Sequence, residues 1–201
     1  MGSRDHQVPQ GRDQAHLRRS TEQLGRIQQE LEAARRRAHD IAAPLTAQRW
    51  GARPAAGEWS VAECLIHLNL TSRAFLPLIR DAITRGRDRR VAGSGPYRRD
   101  LVGWFLCWMT EPPIRLRVKT TAPFVPGSTE PKEQVLHELD ALQAQLVGCV
   151  RESDGLDLGR LRVGSPFDPR IRYNLYSCLR LIPAHQRQHL SQAERALSSL
   201  R

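Results

Sequence analysis

His185-Gln186-Arg187-Gln188-His189 places two imidazoles four residues apart near the end of the chain. On a helix that spacing puts both rings on one face, their Cβ atoms roughly 5–6 Å apart, so that both can reach one ion. The surrounding apolar positions (Leu175, Leu179, Ile182, Ala193, Ala196 and Leu200) recur at helical steps; His189 belongs to that stripe and His185 stands at its edge. Imidazoles turned toward a core need partners, and each one left without costs on the order of 1–3 kcal/mol. A shared metal ion supplies that partner; backbone carbonyls are the plainer alternative. Gln186 stands where a zinc-peptidase helix of the H-E-x-x-H type carries its glutamate base, and an amide cannot take a proton, so peptidase chemistry is not expected.

A metal site built from such a pair needs a donor from another element, and His67 is the candidate. It lies in Cys64-Leu65-Ile66-His67-Leu68-Asn69, the most apolar part of a second helical pattern. Sites in helical bundles form from side chains on facing helices, and one histidine opposite a pair meets that requirement; by itself His67 reads sooner as a satisfied core residue, and only the pair tips the reading toward a site. Cys64 reads as a small buried hydrophobe, with soft ligation as its alternative, and Glu63 as a helix-capping side chain before a partner to His67. His6, His16, His39 and His137 sit among charges and read as solvated.

Four long helices must position these residues. Leu17, Leu24, Ile27, Leu31, Ala34, Ala38, Ile41 and Leu45 form the stripe of the first, with Pro44 set to weaken its last turn. Ser60-Val61-Ala62-Glu63 fits a capping box that opens a second helix running to about Thr84. A third, capped by Ser128 or Thr129 with Pro131 in its first turn, carries Val135, Leu139, Leu142, Leu146 and Val150. Pro183 either kinks the last helix or marks where a new one begins. Residues 85–130 read as an irregular insertion containing a short buried helix at 101–109, and residues 164–169 as a loop; the longest strand-like alternation is 114–119. So long a connection suggests a wall or lid over a site.

The chain has 201 residues, 40% of them hydrophobic and 26% charged, which matches a globular domain. Residues 1–12 read as a frayed start and 13–201 as one domain. No apolar run approaches the roughly 20 residues of a bilayer span, and the polar start does not resemble a secretory signal, so a cytoplasmic protein is expected. The four cysteines lie far apart and read as reduced and buried. Arginine makes up 29 of the 31 basic residues behind the net charge of +10. The charges are scattered and lack interleaved aromatic platforms, which argues against nucleic-acid binding.

The segment Arg53-Pro54-Ala55-Ala56-Gly57-Glu58-Trp59-Ser60-Val61-Ala62-Glu63-Cys64-Leu65-Ile66-His67-Leu68 resembles the second-helix signature of the DinB/YfiT-like superfamily, and the terminal His185 to Gln192 stretch resembles its closing H-x-x-x-H helix. Pro123-Phe124-Val125-Pro126 and Ser165-Pro166-Phe167 fit its connections. The likeness spans residues 13 to 200. It implies an all-α, up-down-down-up four-helix bundle, often homodimeric, holding a divalent metal (zinc, nickel, manganese or iron) on His67, His185 and His189; the long irregular insertion between helices 2 and 3, residues 85–130, and Pro183 depart from the family's pattern. Members of the family include thiol S-transferases, a thiol-dependent isomerase and hydrolase-like proteins. The expectation is therefore a small-molecule enzyme that activates a low-molecular-weight thiol or water, with Arg187 near its mouth for anionic groups. A hydrolase and a non-enzymatic dimeric binding module are the alternatives.

Overall fold

The computed structural model describes residues 10–112, 120–127 and 130–200, with side chains from Ser20 onward. Helix α1 (Gln10–Ala42) buries Leu24, Ile27, Leu31, Ala34, Ala38 and Ile41 along one stripe. It stops before Pro44, whose ring and missing N–H forbid another helical turn; Leu45 remains buried but lies beyond the helix. Its first three residues fall within the stretch read as frayed, and residues 1–9 lie outside the described part. A single turn, α2 (Ala47–Trp50), follows.

Helix α3 (Val61–Asp88) begins at the expected capping box. Ser60 Oγ accepts from the Glu63 amide at 3.1 Å, and the Glu63 carboxylate accepts from the Ser60 amide at 2.8 Å. The helix passes Pro77 and ends one turn later than expected. Helix α5 (Lys132–Glu152) has Pro131 in its N-cap position; the Ser128 and Thr129 caps lie outside the described residues, as does the 114–119 alternation. Helix α6 (Leu175–Ser199) is continuous, so Pro183 neither ends nor begins a helix.

Cross-helix bonds set the directions. Going up α1, Gln23 bonds Tyr176 at 3.2 Å and Arg37 bonds Glu194 at 2.6 Å, so α1 and α6 run parallel. Gln28 accepts from Arg151 at 3.3 Å and His39 meets Asp140 at 2.9 Å, so α5 runs against α1. Asn69 donates to the Val135 carbonyl at 3.0 Å and Arg80 to Gln145 at 2.8 Å, so α3 and α5 are parallel. With α3 packed on α5 and α6, and α1 on the same two, the order is up-down-down-up.

Two apolar clusters fill the bundle. One gathers Leu24, Ile27, Leu31, Phe75, Ile79, Leu146 and Leu179; the other gathers Ala34, Ala38, Ile41, Val61, Leu65, Leu139 and Ala193. His185 and His189 on α6 lie in sequence between the two clusters, and His67 on α3 lies among residues of the second.

One expectation needs correction, and the stretch read as a loop at 164–169 gains two short strands around it. Residues 162–174 form a hairpin, β1 (Arg162–Gly164) against β2 (Arg172–Asn174), antiparallel with Val163 opposite Tyr173. Strands of three residues leave too little alternation to read. The helix in the insertion exists, as α4 (Leu101–Thr110), but it is not buried: Leu101 is 86% exposed, Trp104 51%, Phe105 46% and Trp108 40%. α4 packs on α6 and β2, which covers only one side of it. Gly103 permits that approach, since a Cβ there would lie 2.1 Å from the Ser177 side chain. Asp100 pins the contact by accepting from the Gly103 amide at 3.0 Å and from Ser177 Oγ at 2.9 Å.

Candidate metal centre

The three histidines meet inside the bundle. His67 is 2% exposed, His185 9% and His189 8%. Each offers one ring nitrogen, and the three donor atoms lie within 4.8 Å of one another, a group that could hold a metal ion. Nε2 of His67 stands 3.3 Å from Nε2 of His185. Two nitrogens at ~2.1 Å from one ion are about 3.4 Å apart at a tetrahedral angle, so this spacing fits a common centre.

The outer ring nitrogens set the tautomers. A carbonyl oxygen can only accept, so Nδ1 of His67, 2.7 Å from the Phe124 carbonyl, carries the proton and Nε2 presents its lone pair inward. Nδ1 of His189 donates likewise to Gln192 Oε1 at 3.1 Å. Such outer bonds to carbonyls or amides are the usual support of metal-ligating histidines. The plainer alternative, histidines satisfied by carbonyls alone, describes only the outer nitrogen of His67. It leaves the inner nitrogens of His67 and His185 to a bond with each other at 3.3 Å.

Electrostatics keep the rings neutral. Burial lowers His67, although its bond to Phe124 opposes the shift. Burial holds His185 well below the ordinary imidazole value, and the neighbouring His189 and His67 add to the effect. Burial and His67 push His189 down to about 3, against the opposing bond to Gln192. Neutral imidazole is the form that ligates.

Local structure explains the placement. The capping box fixes the start of α3, two turns before His67, and Glu63 is committed there: it also pairs with Arg53. Trp59, just before the cap, stacks on His189 with ring centres 5.8 Å apart and leans on His67 at 5.0 Å. Cys64 is fully buried, and burial pushes its thiol up to about 12; it is not part of the cluster. His39 is half-buried on Asp140 and His137 is exposed, and neither belongs to the ligand group found among the described residues.

Arg187 does not serve the mouth of the site as expected. Its guanidinium pairs with Glu30 at 2.8 Å and with Glu111 at 2.8 Å, tying α6 to α1 and to the end of α4. Phe124, Gln192 and Trp59 are site residues that sequence reasoning did not single out. Gln192, three residues after His189, and Trp59, beside the cap, carried a spacing signal; a backbone carbonyl carries none.

A cavity of about 260 Å³ opens beside the three rings. The insertion supplies part of its wall through Leu106, Met109, Thr110, Thr120 and Thr121, with Phe75 and Phe167 opposite. No helix among the described residues is long and apolar enough to cross a membrane. A family model of the DinB superfamily matches residues 30–193, which include all three histidines. No curated protein and no solved structure matches the chain. With its helix order, its histidine cluster and a family match over most of its length, the chain belongs to the DinB superfamily.

Proposed function

We propose that His67, His185 and His189 hold a divalent metal ion and that the protein is a metal-dependent enzyme of the thiol S-transferase kind. The observation that supports this most is the junction of three inward-facing ring nitrogens with a cavity large enough for a reactant. A purely structural ion has no use for such a space. Bound there, a divalent ion supplies Lewis acidity that lowers the pKa of a thiol or a water toward neutrality.

The chain's own residues favour the thiol. The described lining residues include no Asp, Glu or Lys, so none can act as a carboxylate or amine base toward water. A thiol starts near pKa ~8.5 and needs little help to ionise at neutral pH, whereas water starts near ~15.7. The outer bonds to Phe124 and Gln192 hold the rings in one orientation, and the aromatic walls of Phe75 and Phe167 exclude water from the reacting groups.

Elemental analysis of the purified protein tests the site: about one divalent ion per chain is expected, lost in His185→Ala and His189→Ala. Equal metal in wild type and both variants removes these ligands. A screen of low-molecular-weight thiols with electrophiles then tests the reaction. Metal-dependent thiol consumption supports it, whereas turnover with water alone makes the protein a hydrolase, and no turnover with full metal occupancy leaves a binding module.

A further inference from the structure

The histidine cavity shares part of its wall with a second, more open depression on the surface. Leu106 and Ile171 line both, and the second is formed with Leu101, Val102 and Phe105 of α4 and with Arg170 and Arg172 at its rim. We propose that the substrate is an elongated, chiefly aliphatic molecule, uncharged where it enters the cavity. Its reacting head lies beside the three histidines, and its tail leaves between Leu106 and Ile171 to lie along the outer face of α4. This rests on the reading of the histidine cluster as the reacting end.

The inner walls set the polarity. Phe75, Leu106, Met109, Phe167, Ile171 and Leu181 are six of the fourteen lining residues; the others are the three histidines, Gln188 and four hydroxyl residues, and no charged side chain is among the described lining residues. A charged group would have to leave water there without a counter-ion. The nearest arginine in sequence, Arg187, is bound to two carboxylates. Hydroxyls of Thr110, Thr120, Thr121 and Ser165 suit an uncharged polar head.

Size sets the length. At about 30 Å³ per water-sized group, the space of about 260 Å³ takes eight or nine such groups. A longer molecule must emerge, and the wall shared with the outer depression leads onto surface that is apolar on the α4 side and carries Arg170 and Arg172 on the other. Leu101, Trp104, Phe105 and Trp108 stand at steps of three and four on the exposed side of α4, a contiguous apolar strip of the kind that marks a binding surface.

The test titrates 1-alkanols from hexanol to dodecanol into the full chain, metal-free and metal-loaded, by calorimetry. Affinity is expected to rise about threefold per methylene, somewhat under the full transfer value, and to keep rising past octanol. In Phe105→Asp, at a position 46% exposed and with thermal unfolding as the check on folding, the gain from octanol to dodecanol is expected to vanish. A plateau at octanol in the wild type overturns the proposal, as does octanoate or octylamine binding as tightly as octanol. If the wild type sediments as a dimer that Phe105→Asp splits while chain length has no effect, the α4 face belongs to a second copy and the proposal fails. Metal content separates the two readings. A failed alkanol series at full metal occupancy overturns the substrate class alone, and a normal series in protein that takes up no metal overturns the metal site alone.

Discussion

Nδ1 of His67 lies 2.7 Å from the carbonyl oxygen of Phe124, which closes a 3-10 turn at Ala122–Phe124. A residue of the insertion thereby fixes the tautomer of a histidine on α3. The irregular segment is part of the site's chemistry as well as its wall, because without that acceptor the inner nitrogen of His67 has no reason to be the unprotonated one.

Gln192 does the same for His189, and it can be changed. Gln192→Leu removes the acceptor at 3.1 Å while keeping the volume of a partly exposed side chain. Loss of such an outer bond lowers metal affinity by about 10- to 100-fold. Competition with a chromogenic chelator measures it, with thermal unfolding of the metal-free protein as the control for folding. An unchanged affinity would mean that His189 is oriented by Trp59 and packing alone.

The capping box has a pH signature. Burial raises the Glu63 carboxyl, but the Arg53 guanidinium and the bonds from Ser60 outweigh it and hold the carboxyl below its ordinary value of 4.5. A group whose folded pKa is depressed contributes stability above its unfolded pKa and loses it as pH falls through the folded value. The stability gap between wild type and Glu63→Gln, measured by urea unfolding, is therefore expected to be full at pH 6–7 and to shrink progressively as pH falls below 4.5 toward the lower folded value. A gap of the same size at pH 3.5 refutes the ionic contribution. Ser60→Ala is expected to cost about 1 kcal/mol at any pH in that range.

Gly103 and Gly25 make an opposed pair. A Cβ at Gly103 collides with Ser177 at 2.1 Å, whereas one at Gly25 meets nothing within 4 Å. Gly103→Ala is expected to lose about 1–3 kcal/mol through overpacking where α4 meets α6. Gly25→Ala, within α1, gains about 0.5–1 kcal/mol from helix propensity. Calorimetric Tm values for the two should move in opposite directions. A harmless Gly103→Ala would mean that α4 does not sit this close to α6.

The four principal helices were legible because each carries an apolar stripe at helical spacing, and local periodicity is a property of the chain itself. The capping box and the His185/His189 pair were legible for the same reason: both relations span one turn. The pairing of His67 with that turn depended on two stripes facing each other, which the sequence suggests and only packing brings about.

Other features depended on contacts between distant segments. The run 101–109 is apolar on every side, so nothing within it says which face α4 covers; the close approach of Gly103 to Ser177 decides that. The hairpin at 162–174 is too short for alternation to show, and its pairing is a relation between two segments. Arg187 looked available beside the histidines because Glu30 and Glu111, which hold it, come from α1 and the end of α4. The Phe124 carbonyl has no side-chain identity to read. Side-chain type and one-turn spacing are written in the chain, whereas which groups satisfy one another across the bundle is set only when the helices pack.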